Sequence, residues 1–205
     1  VADKKIKILT LGDHPLSTSG VGIQTRLFIE GLLNTGKYEF ISFAGAQKHE
    51  DYTPMQTEQY EEAWKIFPIK GYGTTEMIRS VLRTERPDIV WLMTDPRYWT
   101  WLWQIEDEIR PLVPMVYYHV WDNFPAPQFN EKYYRSNDTV VSISKVTESI
   151  VNEVAPDLQH VRIPHTVDES TFKPLGKDEV AKFKKEHIGD NNKVLFFWNN
   201  RNHRR

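Results

Sequence analysis

Apolar residues follow two spacings along this chain, and together they predict a regular alternation of strands and helices. Short, largely apolar runs are typical of strands covered on both faces, and they occur at Tyr38 to Ala44, Asp88 to Thr94 and Pro114 to Val120. Apolar residues at helical spacing separate such runs, as in Thr74 to Arg86, which Pro87 ends. Strands and helices that alternate in this way favour a doubly wound parallel α/β sheet.

The same two spacings predict further elements along the chain. Strands are expected at Trp64 to Ile69, Thr139 to Ser144, Gln159 to Ile163 and Lys193 to Trp198, and helices at Tyr98 to Arg110, Lys145 to Val154 and Lys177 to His187. The polar stretch Gly45 to Ala63 lacks periodicity, so we expect it to cross the surface. Because no turn and helix follow the last predicted strand, we expect the chain to be part of a longer protein.

The first strand, loop and helix lie between Lys5 and Gly36, and the helix begins at the loop Gly20-Val21-Gly22. The first N–H groups of a helix lack intrahelical partners and favour anions. A phosphate can approach a backbone that has no Cβ, so Gly20 and Gly22 are candidate phosphate contacts. A pair of glycines also occurs where only a tight turn is needed, and the spacing leaves both interpretations open.

Composition and charge narrow the classes of function. With 205 residues, 40% of them apolar and 26% charged, the sequence is typical of a soluble globular protein. A net charge of −2 gives no general reason to expect nucleic acid. No apolar run is long enough to cross a membrane and the first residues lack the form of a signal peptide, so we expect a cytoplasmic protein. The absence of cysteine excludes disulfides, and the histidines show no spacing typical of a zinc site.

Four stretches of the chain resemble the GT-B glycosyltransferases, in particular family 4 of the retaining, sugar-nucleotide-dependent enzymes. The most specific is IPHTVDESTFKP, Ile163 to Pro174, which is similar to the family's segment I-P-N-G-V-D-x-x-x-F-x-P. The strand and helix before it, Val141 to Val151, resemble the same family, as do the first turn and helix, Ser19 to Leu33, and the stretch FFWNNRN, Phe196 to Asn202. The chain departs from the family at His165-Thr166, where Asn-Gly is usual.

This resemblance implies the N-terminal half of a GT-B enzyme. Residues 1–175 would form a Rossmann-like, acceptor-side domain, and residues 176–205 a linker helix and the first strand of a truncated donor-binding domain, the rest of which is missing. The implied activity is transfer of a sugar from a nucleoside diphosphate sugar to the hydroxyl of a glycan or another acceptor, with retained configuration. The nucleotide sugar is a co-substrate, and neither a cofactor nor a metal is expected.

The resemblance also implies roles for individual residues. His119, at the end of a predicted strand, matches a histidine that contacts the transferred sugar, and it is the candidate catalytic residue, positioning the sugar by hydrogen bonding. Gly20 and Gly22 become contacts of the donor diphosphate. Arg201 matches an arginine of the donor domain that neutralises charge on the departing diphosphate. The plainer interpretations are a core histidine and turn glycines.

Candidate acceptor contacts follow two predicted strands, at the edge where ligands bind in parallel α/β sheets. They are Asp95, Arg97, Tyr98, Asp122 and Asn123. Two other classes of function compete with the enzyme. One is a non-catalytic α/β module that binds a sugar or another small molecule, and the other is an aromatic-rich nucleic-acid binder that uses the basic tail. The net charge of −2 disfavours the nucleic-acid binder.

Overall fold

A computed structural model describes residues 4–189 and 196–198 of the chain. In this part, one sheet contains eight strands: β1 (Ile6–Asp13), β2 (Tyr38–Gly45), β3 (Met55–Gln56), β4 (Trp64–Pro68), β5 (Ile89–Met93), β6 (Met115–His119), β7 (Thr139–Ser142) and β8 (His160–Arg162). The spatial order is β3-β4-β2-β1-β5-β6-β7-β8, and the edge pair β3 and β4 is antiparallel while the other neighbouring pairs are parallel. The predicted doubly wound α/β sheet is confirmed.

Helices connect the strands. The α-helices of the described residues are α1 (Gly20–Leu33), α2 (Thr75–Thr84), α3 (Thr100–Trp103), α4 (Glu106–Ile109), α5 (Glu131–Arg135), α6 (Lys145–Val154) and α7 (Lys177–His187), and 3₁₀ turns lie at Glu61–Ala63, Pro96–Trp99 and Gln128–Asn130. Ser19, Thr74 and Ser144 each precede a helix and accept a hydrogen bond from the N–H three residues later, which fixes where α1, α2 and α6 begin. None of the helices in this part of the chain is long and apolar enough to cross a membrane.

Both faces of the sheet are covered. Leu9 and Leu11 of β1 belong to one buried cluster together with Trp99, whereas Ile8 of the same strand belongs to a second cluster with Ile29 of α1. Successive residues of a strand point to opposite faces, so a strand that is buried on both sides needs apolar residues at nearly every position. This requirement explains the largely apolar runs of the sequence.

The order of the strands reverses at β1, which pairs with β2 on one side and with β5 on the other. In open α/β sheets, ligands bind in the crevice outside the carboxyl ends of the strands at such a switch point. The loops that leave β1 at Asp13 and β5 at Thr94 border this crevice. At the same edge, His119 and Ser142 end β6 and β7 as register partners.

The prediction of one helix from Tyr98 to Arg110 is wrong, because the segment forms a 3₁₀ turn and two short helices, α3 and α4. Its predicted apolar face is nevertheless buried, with Leu102 at 0% and Ile109 at 1% exposure. The helix breaks at Ile105, whose φ of −123° and ψ of 23° lie outside the helical region. Trp103 is buried as well, at 7% exposure.

Two short elements lie where the sequence predicts no regular structure. The edge strand β3 occurs in the polar stretch Gly45 to Ala63, and it adds the antiparallel pair to the sheet. Helix α5 has five residues and follows the irregular stretch WDNFPAPQF. Elements of this length are too short to show a periodicity, so the hydrophobic pattern cannot reveal them.

Two compact units divide the chain between Val167 and Asp168. The first unit contains the sheet. The described part of the second unit contains α7, with acidic residues in its first turn and basic residues in its last, an arrangement that complements the helix dipole. The predicted domain boundary at residues 175 and 176 stays a prediction. Of the predicted strand Lys193 to Trp198, residues 196–198 are described and carry no strand assignment, and Arg201 lies outside the described residues.

Candidate active site

The loop between β1 and α1 is held by the carboxylate of Asp13. The hydroxyl of Ser19 donates to Oδ2 of Asp13 over 2.7 Å and accepts from the N–H of Gly22 over 2.9 Å. One serine therefore caps the helix and ties its first turn to the end of the strand. The other N–H groups of the first turn have no intrahelical acceptor, so the loop offers backbone donors beside a carboxylate.

The two glycines of this loop lie in different environments. A Cβ on Gly22 would lie 2.6 Å from the carbonyl oxygen of His14 and would also collide with Oγ of Ser17, so the folded loop itself requires a glycine there. A Cβ on Gly20 would meet no atom within 4 Å, so the backbone at Gly20 borders open space. Of the two predicted phosphate contacts, Gly20 is the one that a ligand can approach.

Asp13 also joins the first loop to a pair of tyrosines. The hydroxyl of Tyr72 donates to Oδ1 of Asp13 over 3.0 Å, and the ring of Tyr72 stacks on Tyr98 with 4.5 Å between the centroids. Burial, followed by the charge of Asp13, raises the pKa of Tyr72, so the phenol stays protonated and donates. Tyr98 is 50% exposed. The stacked pair therefore leaves one tyrosine accessible at this edge of the sheet.

Asp95 and Arg97 form an ion pair in the loop after β5. The Arg97 side chain donates to both carboxylate oxygens of Asp95 over 2.8 and 2.6 Å, and its backbone N–H donates to the same group over 2.9 Å. Burial would raise the pKa of Asp95, but the hydrogen bonds and charge of Arg97 outweigh burial and the pKa is lowered. Asp95 therefore stays ionised, which suits the orientation of a ligand hydroxyl better than proton donation.

Thr94, which connects β5 to Asp95, has a strained backbone. Its φ of 103° is unusual for a β-branched residue. The hydroxyl of Tyr117 donates to its carbonyl oxygen over 2.9 Å and holds this conformation. Strain of this kind persists where the surrounding structure enforces it, and it clusters at ligand sites. The strained position thus adds to the reasons for placing the candidate site at the switch point between β1 and β5.

His119 ends β6 with its side chain buried, at 0% exposure. Its Nε2 lies 2.7 Å from the hydroxyl of Tyr134 on α5, and that hydroxyl also accepts from Nδ2 of Asn130 over 3.3 Å. Burial lowers the pKa of His119 to about 3, so the ring is neutral at neutral pH. Among the described residues, Nδ1 of His119 has no hydrogen-bond partner. This environment suits a hydrogen-bonding role and does not suit proton transfer at neutral pH.

The structure thus brings some of the predicted site residues together and leaves others apart. Asp13 and Tyr72 connect the loop of Gly20 and Gly22 to Tyr98. Asp95 and Arg97 are paired in the neighbouring loop. The remaining predicted acceptor contacts, Asp122 and Asn123, are exposed in the loop after β6.

Sequence reasoning misses Tyr72, Tyr134 and Asn130. Tyr72 lies between Gly71 and Gly73, whose φ values are 64° and 100°, so the Gly-Tyr-Gly pattern is a turn signal that places an aromatic residue at its tip. No pattern points to Tyr134 or Asn130, because both lie in the short elements around α5.

A cavity of about 350 Å³ lies elsewhere in the first unit. The rings of Phe28, Trp91 and Tyr118 line it together with Ile163 and Pro164, and its lining is almost entirely apolar. None of the predicted site residues lines this cavity, so it is separate from the candidate site. In the described ranges, no three side chains of His, Cys, Asp or Glu are grouped so that they could hold a metal ion.

Comparison with known proteins shows the fold of the chain. No protein-family model and no curated protein matches it. The chain is similar to a solved structure of trehalose-6-phosphate from E. coli bound with UDP-2-fluoro glucose, with a TM-score of 0.52 and 9% sequence identity. The match covers 88% of this chain and 54% of the other, so the chain spans about half the length of that neighbour. At this identity the likeness shows the fold alone, a Rossmann-like α/β sheet of the kind found in GT-B glycosyltransferases.

Proposed function

We propose that this chain is the acceptor-side part of a GT-B glycosyltransferase that transfers a sugar from a nucleoside diphosphate sugar to an acceptor hydroxyl. The observation that carries the proposal is the match over 88% of the chain to a solved structure bound with UDP-2-fluoro glucose. A fold alone hosts many functions, so the residues at the crevice must supply the rest of the support. Membership of family 4 and retention of configuration rest on the segment IPHTVDESTFKP and remain part of the proposal.

The donor diphosphate is assigned to the first turn of α1. Gly20 borders open space, and the N–H groups of that turn are donors at the positive end of the helix dipole. Asp13 lies beside this turn and, as a carboxylate, would repel a diphosphate that came too close. Its charge is shared by hydrogen bonds from Ser19 and Tyr72, which reduces this repulsion. Arg201, which lies outside the described residues, keeps its proposed role as a residue of a donor-binding domain that neutralises charge on the departing diphosphate.

The acceptor is assigned to the neighbouring surface. Tyr98 offers an exposed aromatic ring that is held in place by its stack on Tyr72, and rings of this kind combine apolar area with a polar end. The ionised carboxylate of Asp95 is oriented by Arg97 and can accept a hydrogen bond from a hydroxyl. Asp122 and Asn123 add polar groups in the next loop. A glycan is the acceptor class that uses both kinds of contact. We also propose a cytoplasmic location.

The test uses the protein expressed from its complete reading frame. Purified protein is incubated with UDP-glucose and with other nucleoside diphosphate sugars, with and without a panel of mono- and disaccharides, and release of the nucleoside diphosphate is measured. Release that depends on a sugar acceptor, with a product whose anomeric configuration matches the donor, supports the proposal. Binding of a free sugar with no release from any donor identifies a sugar-binding module instead and overturns the proposed enzyme.

A further inference from the structure

A pocket of about 340 Å³ lies at the amino ends of the strands, at the opposite end of the sheet from the candidate active site. Residues of α2 and α4 line it together with the segments that enter β5 and β6. Its charged lining gives a net charge of +2, because it consists of three arginines and one glutamate: Arg79, Arg83, Arg86 and Glu108. The rest of the lining is apolar and includes Leu112, which is 75% exposed. Small-molecule sites begin at about this size, roughly 300 Å³.

One of the three arginines of this pocket is already paired. Arg79 donates from two nitrogens to the two carboxylate oxygens of Glu108, over 3.0 and 2.9 Å. Among the residues that the structure describes, the side chains of Arg83 and Arg86 have neither an ion pair nor a hydrogen bond. Two guanidinium groups therefore remain available to a ligand.

The carboxylates that lie nearest to Arg86 in the sequence are paired with lysines. Glu85 forms an ion pair with Lys65 over 3.5 Å, and Asp88 forms one with Lys4 over 2.8 Å. Each of these acids already has a cation beside it, so neither is left over for an arginine. Local ion pairing thus leaves the positive charge of the pocket on its two unpaired arginines.

Arg86 also has a backbone conformation that favours glycine. Helix α2 ends at Thr84, and Arg86 follows the capping residue Glu85 with a φ of 49°. Glycine is common at this position after a helix, because a Cβ is unfavourable in the left-handed region. An arginine at such a position lowers stability, and residues held in this way cluster at ligand sites.

The charge and the apolar lining of the pocket select among anions. A guanidinium group binds a phosphate or a carboxylate through two parallel hydrogen bonds. A phosphate monoester carries a charge of about −1.5 to −2 near pH 7, which matches the net charge of the pocket. A single carboxylate would leave a positive charge unmatched. The apolar side chains suit carbon atoms attached to the phosphate.

We propose that this pocket is a binding site for a phosphate monoester with an apolar substituent, and that Arg83 and Arg86 hold the phosphate. The site lies apart from the candidate active site, so it does not depend on the proposed function. A phosphorylated metabolite and the headgroup of a phosphatidic acid present the same phosphate. The plainer role is that Arg83, in the last turn of α2, complements the helix dipole. That role needs no ligand.

The experiment uses the protein expressed from its complete reading frame and measures binding of phenyl phosphate by calorimetry. Excess UDP-glucose is present, so that any donor site is filled. We expect phenyl phosphate to bind more tightly than inorganic phosphate, and Arg83→Gln and Arg86→Gly each to raise Kd by about 10-fold. The melting temperature of Arg86→Gly should equal or exceed that of the wild type, because glycine accepts the left-handed conformation. Weaker binding is thereby separated from damage to the fold.

Arg26→Gln is the matched control, because it removes one positive charge from an exposed helix position outside the pocket. Arg26 pairs with Glu30 on α1, and its variant should bind phenyl phosphate as the wild type does. Flotation with phosphatidylcholine vesicles, with and without phosphatidic acid, identifies the source of the phosphate. Binding to phosphatidic acid that both pocket variants lose assigns a lipid headgroup. Binding of phenyl phosphate alone assigns a free metabolite.

Three results would overturn the proposal. The first is equal affinity for phenyl phosphate in the wild type, Arg83→Gln and Arg86→Gly. The second is loss of binding when UDP-glucose is present, which would assign the phosphate to the donor site. The third is a wild-type protein that binds neither phenyl phosphate nor vesicles with phosphatidic acid.

Discussion

Oγ of Ser19 lies 2.7 Å from Oδ2 of Asp13, so the residue that caps α1 is bonded to the residue that ends β1. The same oxygen accepts from the N–H of Gly22. Strand, loop and helix are therefore fixed to one another by a single hydroxyl. A site built on elements that are tied in this way keeps its geometry before the ligand arrives, which is the condition for precise binding.

The first prediction compares the two glycines of this loop. Gly22→Ala places a methyl group against the carbonyl oxygen of His14 and Oγ of Ser17, and overpacking of this kind costs about 1–3 kcal/mol. For a chain of this size, the melting temperature should fall by roughly 2–4 °C for each kcal/mol. Gly20→Ala meets no neighbouring atom, and alanine is favoured over glycine in a helix, so the melting temperature should not fall. Thermal unfolding of the two variants beside the wild type is the measurement.

Gly20→Ala is also the variant that tests the donor site. If the diphosphate approaches the backbone at Gly20, the added methyl group should weaken binding of UDP-glucose to the complete protein, by about 10-fold for a loss of 1.4 kcal/mol. Equal destabilisation by both substitutions would contradict the different environments of the two glycines. Unchanged donor affinity in Gly20→Ala would remove this turn from the donor site.

The first unit illustrates what the sequence can and cannot predict. The start of α1 at the loop Gly20-Val21-Gly22 follows from the apolar stripe beyond it, and the structure adds that Ser19 caps the helix. The sequence cannot say which glycine is required. Gly22 is constrained by the carbonyl of His14, a contact that depends on the path of the whole loop. Spacing shows that two residues lack a Cβ, but it does not show what lies beside them.

The second prediction concerns Gln24, which joins α1 to the segment after β8. Its amide donates to the carbonyl oxygen of Thr166 over 2.9 Å and accepts from the N–H of Thr166 over 3.2 Å. Gln24→Ala removes both bonds, so hydrogen exchange at the Thr166 amide should become faster. A second anchor, the hydrogen bond from the Tyr118 hydroxyl to the carbonyl of Ile163, remains. Each lost bond is worth about 0.5–1.5 kcal/mol, so the fold should persist.

The control for Gln24 is Gln104→Ala, which replaces an exposed glutamine between α3 and α4. Exchange at Thr166 in that variant should match the wild type. Exchange that is equally slow in Gln24→Ala and in the wild type would show that the segment does not depend on this side chain.

The third prediction tests the proposed acceptor surface. Tyr98→Ala removes the exposed ring that stacks on Tyr72. The assay uses a sugar acceptor that reacts in the panel described above. We expect KM for this acceptor to rise about 10-fold. Hydrolysis of the donor without acceptor should be unchanged. Tyr98→Phe keeps the ring and should keep most of the affinity. Leu112→Ala is the control. Leu112 is 75% exposed and precedes β6, so it lies at the amino ends of the strands and not at their carboxyl ends.

The candidate site could be predicted only as far as it depends on strand ends. The positions of Asp95 and His119 follow from the apolar runs before them, because parallel strands end at one edge. The orientation of His119 does not follow. Its ring is hydrogen-bonded to Tyr134 in α5, an element of five residues that has no detectable periodicity. The pairing of Asp95 with Arg97 is likewise a matter of side-chain geometry that spacing does not determine.

The last prediction concerns stability and pH. Burial lowers the pKa of His119 from 6.5 to about 3, so the unfolded state binds a proton between these values and the folded state does not. The contribution of His119 to the free energy of unfolding is therefore fully present above pH 6.5. It is lost as the pH falls, at about 1.4 kcal/mol per pH unit. His14 and His165 have pKa values that are lowered chiefly by burial, and they add losses of the same sign.

Urea unfolding of the wild type, His119→Gln and His187→Gln at pH 7.5 and 5.0 isolates the contribution of His119. Between pH 6.5 and 5.0 the single proton of His119 accounts for roughly 2 kcal/mol, so His119→Gln should lose that much less stability than the wild type. His187 has a side chain that is 53% exposed, and His187→Gln should follow the wild type at both pH values. If the free energy of unfolding falls equally in the wild type and in His119→Gln, His119 has the same pKa in the folded and unfolded states. That result would be incompatible with a buried ring that is hydrogen-bonded to Tyr134.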